Sequence, residues 1–211
     1  YEINIGDWSS DVCSSDLTTT NQYTAMRRSV FTVATGANLQ NSIRTEAMFF
    51  RGASGSQGGF FAFCRFGFSA WTTNNRCFVG FTVGTTAVTT VDPSSLLNIA
   101  GFGIDSADTA FTFMHNDGSG TAVKETISGQ PALATNNAYD VFIFCPPSSN
   151  IIHYRMDNTL TQTTLVNTSV NTDLPVNTTM LNFHVAIGSG SNTGAGVAAI
   201  GLNRFYIETD Y

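Results

Sequence analysis

Apolar and polar residues alternate along most of this chain with a period of two. In Met180–Ile187, Leu181, Phe183, Val185 and Ile187 fall on one side and Asn182 and His184 on the other. In Ile151–Met156, Ile152, Tyr154 and Met156 oppose His153 and Arg155. A period of two places successive side chains on opposite faces of a strand, one buried and one wet. No window carries a convincing 3.6-residue period, so helices are not expected. The pattern predicts strands at Val30–Thr35, Ile43–Arg51, Phe60–Phe68, Cys77–Val83, Leu96–Ile104 and Ala110–His115. It predicts six more at Ala122–Ile127, Tyr139–Cys145, Ile151–Met156, Leu160–Val166, Met180–Ile187 and Val197–Ile207. Turn residues separate them, among them Asn74-Asn75, Asp92-Pro93, Asn116-Asp117-Gly118, Pro146-Pro147 and the Gly188–Gly196 run. Val141-Phe142-Ile143-Phe144-Cys145 is apolar on both sides and is expected to be a central strand. Short strands at this spacing, without helical crossovers, predict an all-β fold: an antiparallel two-sheet sandwich of jelly-roll type.

The chain has 211 residues, of which 42 % are hydrophobic and 11 % charged, and it contains 17 Phe. The Phe supply a core, and the low charge excludes disorder over most of the length. Nine Lys and Arg stand against fifteen Asp and Glu, a net charge of −6. A nucleic-acid ligand needs a basic stripe, which this composition does not provide. No stretch approaches 18 apolar residues, so no membrane-spanning helix is expected.

The opening Tyr1–Leu17 has neither the basic nor the apolar region of a signal peptide. Its segment Asp7–Leu17, DWSSDVCSSDL, resembles the translation of a short-read sequencing adapter. Residues 1–17 are therefore set aside as a sequence artefact or disordered segment, and 18–28, with its polar run Leu17–Thr24, as a linker or arm. A single β-sandwich domain is expected over 29–211. Setting aside 1–17 removes Glu2, Asp7, Asp11 and Asp16, so eleven acids remain against nine bases and the net charge becomes −2. It also removes Cys13.

Cys64 and Cys77 flank a hairpin-like segment, Ser69–Asn75, and could lie on the core side close enough to bridge. Two buried free thiols are the preferred reading, since three remaining cysteines do not make a disulfide framework. No zinc spacing, GxSxG elbow, P-loop or dinucleotide-binding GxGxxG is present, and no cofactor is expected. A glycoside hydrolase needs two carboxylates flanking the scissile bond. Beyond residue 17 the only glutamates are Glu46, Glu125 and Glu208, and only Glu208-Thr209-Asp210 has a same-face spacing, in the terminal tail. The chain is expected not to be an enzyme.

Asp105, Asp108, Asn116 and Asp117 are hard oxygen donors in two successive loops, of the kind Ca²⁺ takes. Ordinary turn capping is the favoured reading, and no metal is expected. For ligand binding the candidates are Trp71, Arg76, His153, Arg155 and His184. Trp71 is placed at a hairpin tip, where it serves a ligand, another subunit or its own domain. His153, Arg155, Asn182 and His184 are expected on solvated sheet faces. Two glycosylation sequons, at Asn167 and Asn177, are expected to carry no glycan.

Val91–Gly103 (VDPSSLLNIAGFG), Asp105–Lys124 (DSADTAFTFMHNDGSGTAVK) and Ile200–Tyr211 (IGLNRFYIETDY) together resemble virion proteins of tailed bacteriophages, found on fibres, spikes and other appendages. The resemblance spans roughly Ser29–Tyr211. It implies a concanavalin-like sandwich on the virion surface, assembled in the host cytoplasm with other virion subunits or as a homo-oligomer such as a trimer. Together with the sandwich pattern and the missing catalytic constellation, it leads to the expectation of a non-enzymatic structural protein that attaches to a host-surface glycan. The alternatives are a jelly-roll polysaccharide depolymerase and a purely architectural decoration protein. No binding site transfers from the resemblance.

Overall fold

The computed structural model describes residues 26–53, 55, 57–84, 91–135 and 137–209. The adapter-like segment and the expected linker up to Thr24 lie outside them.

Among the described residues twelve strands form two six-stranded antiparallel sheets. Sheet I contains, in spatial order, β1 (Ser29–Thr32), β12 (Ala199–Thr209), β3 (Phe60–Ala70), β8 (Ala138–Cys145), β9 (Ile152–Asn158) and β10 (Thr163–Val170). Sheet II contains β2 (Gln40–Arg44), β11 (Asn182–Gly188), β4 (Arg76–Thr82), β5 (Ile99–Ile104), β6 (Thr112–Asn116) and β7 (Val123–Thr126). Each predicted strand corresponds to one of these, with ends displaced by a few residues. The largest displacement is in Ile43–Arg51, which leaves strand geometry after Arg44 and returns only as a bridge between Phe49 and Leu181.

The core lies between the sheets. Along β3, Phe60, Ala62, Cys64, Phe66 and Phe68 point inward, and along β9 Ile152, Tyr154 and Met156 do the same. Sheet II contributes Val79, Phe81, Phe102, Phe113, Val185 and Ile187. The rings interlock: Phe66 meets Phe111 edge to face at 5.7 Å, and Phe113 stacks on Tyr154 at 3.9 Å. Each buried Phe contributes roughly 1.5–3 kcal/mol, with about 0.5–1.5 kcal/mol more for a well-placed ring pair.

Two sequence-based expectations, the hairpin and the wet outer side of sheet II, are corrected, while the free thiols and the central strand are borne out. β3 and β4 belong to opposite sheets, so the expected hairpin at Ser69–Asn75 is not formed and the connection between them, Trp71–Asn75, is an arch over the sandwich edge. Cys64 and Cys77 are free and buried, and burial pushes both thiols up in pKa. The strand containing Val141–Cys145 is internal to its sheet yet covered on one side only: Val141 and Ile143 face the core, while Phe144 is 42 % exposed. Finally, the outer side of sheet II is not wet. Phe78, Ile99, Met114, Ala122 and Ala186 form a second cluster there under Leu96.

That cover is segment 91–98, which crosses the back of sheet II and includes a 3-10 turn at Pro93–Ser95. Asp92 accepts from Arg76 Nε at 2.6 Å and from the backbone and hydroxyl of Ser106. Ser94 O accepts from the Ala122 amide, and Leu96 O from Asn116 Nδ2. On the outer side of sheet II Gly80 and Gly101 face each other across β4 and β5. A Cβ on Gly80 would sit 2.4 Å from Gly101 Cα, and one on Gly101 would meet Val79 O at 2.7 Å. Glycine at this pair permits the close approach of the two strands.

Gly101→Ala is expected to lower stability by about 2 kcal/mol or more through overpacking. Gly118→Ala, whose new Cβ would meet nothing closer than 3.7 Å, is the control and should change little in urea unfolding.

Candidate functional site

The outer face of sheet I has no covering segment like that of sheet II among the described residues. Because the inward positions of β3, β8, β9 and β12 are fixed by the core, their alternate residues project outward in register. Three rows cross the sheet. The first reads Glu208, Phe61, Phe144, His153, Ser169; the second Tyr206, Phe63, Phe142, Arg155, Asn167; the third Arg204, Arg65, Asp140, Asp157, Thr164. Five aromatic residues thus share one exposed face with three arginines, three acids and a histidine.

The rings form a contiguous patch. Phe63 and Phe142 have centroids 5.0 Å apart, Phe61 and Tyr206 6.2 Å, and Phe144 stacks on His153 at 5.9 Å. Phe144 and Tyr206 are 42 % and 52 % exposed. Large contiguous apolar surface is rare on a solvated face without a partner to cover it.

The polar row beside the rings is prearranged. Arg65 donates from Nε and Nη2 to the two oxygens of Asp140, each at 2.6 Å. Arg155 donates from Nε to Asp157 at 2.9 Å and from Nη2 to Thr164 Oγ1 at 3.3 Å. Its guanidinium also lies 5.7 Å from the Phe142 centroid, within cation–π range. The Asp140 hydrogen bond raises the pKa of Arg65, so the proton stays on the guanidinium. Asp140 and Asp157 are direct cross-strand neighbours. Their Cβ atoms are therefore about 4.5–5.5 Å apart.

Three depressions adjoin on this face. One of about 320 Å³ is lined by Arg65, Asp140, Arg155 and Asp157 with Met26 and Gln162. One of about 220 Å³ is lined by Phe142, Phe144, His153 and Arg155 with Asn167. One of about 420 Å³ is lined by Phe61, Phe63, Asp140, Phe142, Arg204 and Tyr206. Shared walls at Asp140, Phe142 and Arg155 join them into a shallow trough, a geometry suited to an extended ligand with alternating apolar faces and hydroxyls.

Of the residues singled out from the sequence, His153 and Arg155 lie in this trough. The others do not. Trp71 sits in the arch and packs back onto Phe68, with ring centroids 4.2 Å apart. Arg76 is engaged with Asp92 and with Asn38 Oδ1 at 3.1 Å. Asp105 and Asp108 converge, but on the ammonium of Lys124, at 2.6 and 2.7 Å. Burial opposes that charge, and the hydrogen bonds and charges of the two aspartates outweigh it, so the Lys124 pKa is raised. Asn116 bonds to Leu96 O and Asp117 caps Ser119, so the four oxygen donors do not form one site. Among the described residues no cluster of three His, Cys, Asp or Glu side chains is placed to hold a metal.

His184 and Asn182 are buried on the outer side of sheet II, not solvated. Among the described residues neither ring nitrogen of His184 has a hydrogen-bond partner, and Asn182 donates from Nδ2 to Gly84 O. Burial first, and the nearby Arg44 second, push the His184 pKa down to about 4.

Sequence reasoning missed Phe61, Phe63, Phe142, Phe144, Arg65, Asp140, Asp157, Arg204 and Tyr206. The signal for β3 was present, since Phe61, Phe63 and Arg65 alternate with the inward set. For β8 it was masked, because both sides of Val141–Cys145 are apolar.

No family model and no curated protein matches the chain. Its fold is shared with solved lectins. Lectin II from Ulex europaeus superposes with a TM-score of 0.55 at 12 % identity, over 86 % of this chain and 87 % of that one. Peanut lectin, solved with a nine-residue peptide, gives 0.54 at 11 %, over 87 % and 85 %. Arcelin-5, a lectin-like defence protein from Phaseolus vulgaris, gives 0.54 at 11 %, over 91 % and 96 %. These likenesses identify the concanavalin-like jelly-roll sandwich.

Between pH 6.5 and 4 the unfolded chain takes up a proton at His184 that the folded chain refuses. Stability contributed by neutral His184 is therefore complete above pH 6.5 and falls by about 3 kcal/mol as pH drops to 4. Urea unfolding across this range should show the fall, and His184→Leu should flatten that part of the slope. An unchanged slope in the variant would contradict the assignment.

Proposed function

We propose that this domain is a non-enzymatic carbohydrate-binding module that uses the trough on sheet I, displayed on a tailed-phage appendage and attaching it to a host-surface glycan. The observation that carries the reading is the exposed ring patch beside two prearranged arginine–carboxylate pairs. A pyranose offers an apolar C–H face to a ring and a rim of hydroxyls to planar donors and acceptors. Aromatic residues with fixed polar neighbours are the surface chemistry that matches both. The lectin-type sandwich is compatible with this use, and the placement on a virion rests on the resemblance of Val91–Gly103, Asp105–Lys124 and Ile200–Tyr211. Homo-oligomeric assembly belongs to the same proposal, and light scattering checks it.

A depolymerase is the second reading, favoured by Asp140 and Asp157 standing opposite each other. Retaining glycosidases hold their two carboxyl groups about 5–5.5 Å apart, one of them as a proton donor. Here both oxygens of Asp140 already accept from Arg65, and Asp157 accepts from Arg155. Such pairing suits binding better than proton donation. The third reading, an architectural decoration protein, would bury the same rings between subunits.

Phe144→Ala and Phe142→Ala should each weaken glycan binding about tenfold, near 1.4 kcal/mol, with little change in Tm and in oligomeric state. Incubation with host capsule or lipopolysaccharide should release no new reducing ends. Release that disappears in Asp140→Asn or Asp157→Asn would establish the depolymerase, and loss of assembly in the Phe variants would establish the architectural role.

A further inference from the structure

Among the described residues, Arg204 is the cation on this face that no acid answers. It is exposed on β12 and stands directly across from Arg65. Like charges in that relation repel, and a sheet normally avoids them. Asp140, the carboxylate nearest in the row, has both oxygens occupied by Arg65. Glu208, on the same side of β12, accepts the Tyr206 hydroxyl at 2.5 Å. Asp157 is committed to Arg155. Among the described residues Arg204 makes no hydrogen bond or ion pair. It nevertheless lines the largest of the three depressions, about 420 Å³, together with Phe61, Phe63, Phe142 and Tyr206.

From this we infer that the glycan is acidic, and that a sugar carboxylate pairs with Arg204 while its ring lies against the neighbouring aromatic residues. The inference rests on the carbohydrate-binding reading and adds the substrate class to it. The guanidinium fork matches a carboxylate with two parallel N–H donors, which a neutral hydroxyl cannot accept in the same way. A bound carboxylate also relieves the repulsion between Arg204 and Arg65 without displacing Asp140. The net negative charge of the whole chain does not forbid this, because charges beyond about 8 Å are largely screened at physiological salt.

An array carrying uronate- and sialate-containing oligosaccharides, each beside its methyl ester, and matched neutral glycans tests the inference on the full chain. The strongest signals should come from free acids, with the ester at least tenfold weaker and the acid signal falling as salt is added. Arg204→Gln should bring the acid down to the level of its ester while the ester is unaffected. Arg204→Lys, which keeps the charge and loses the fork, should fall between them. Binding of neutral glycans or esters as strong as that of the acids overturns the acidic assignment and leaves carbohydrate binding standing. So does an Arg204→Gln variant that folds normally and keeps the preference. An array without any signal overturns both.

Discussion

Phe66, Phe68, Phe111 and Tyr139 meet between the two sheets, and Phe102, Phe113 and Tyr154 repeat the arrangement further along the sandwich. These rings are contributed by both layers, so neither sheet can shift without opening voids that cost roughly 24 cal/mol per Å³. The constraint extends beyond the core. A strand whose inward residues are fixed has its outward residues fixed as well, because a slip of one position would exchange the two faces. The row of Phe63, Phe142 and Arg155 on the outside is thus held in register by Cys64, Val141 and Met156 and their neighbours on the inside.

The two outer faces then diverge. Sheet II is covered by segment 91–98, and the polar groups around it serve that cover. Arg76, Asp92 and Ser106 tie the crossing chain down, and Lys124 holds Asp105 and Asp108 together at the adjoining loop. Residues whose types suggest a calcium site or an anion site are here internal partners of one another. On the same side of sheet II, His184 and Asn182 have polar atoms that are buried without full compensation among the described residues. Sheet I keeps its polar and aromatic groups on the surface, where they can meet something other than the protein itself.

A binding surface on a strand face differs from one built of loops. Its side chains are spaced by the pleat and by the distance of about 4.8 Å between strands, and they are rigid before any ligand arrives. The arginine–aspartate pairs add to that rigidity. Preorganisation of this kind lowers the entropy lost on binding, which suits recognition of repeated sugar units along a shallow trough.

The period-two pattern and the turn residues by themselves determined the strand composition, the antiparallel sandwich and the inward sets of β3 and β9, since each depends on neighbours along one strand. Which strands would be partners was decided only by the tertiary structure. Strand pairing brought Asp140 beside Asp157 and Arg204 beside Arg65, residues separated by 17 and 139 positions in the chain. It also placed Trp71 in an arch and buried His184. Spacing along a strand reports which face a residue takes. Whether that face meets water, another layer or a partner depends on chain that arrives from far away in sequence.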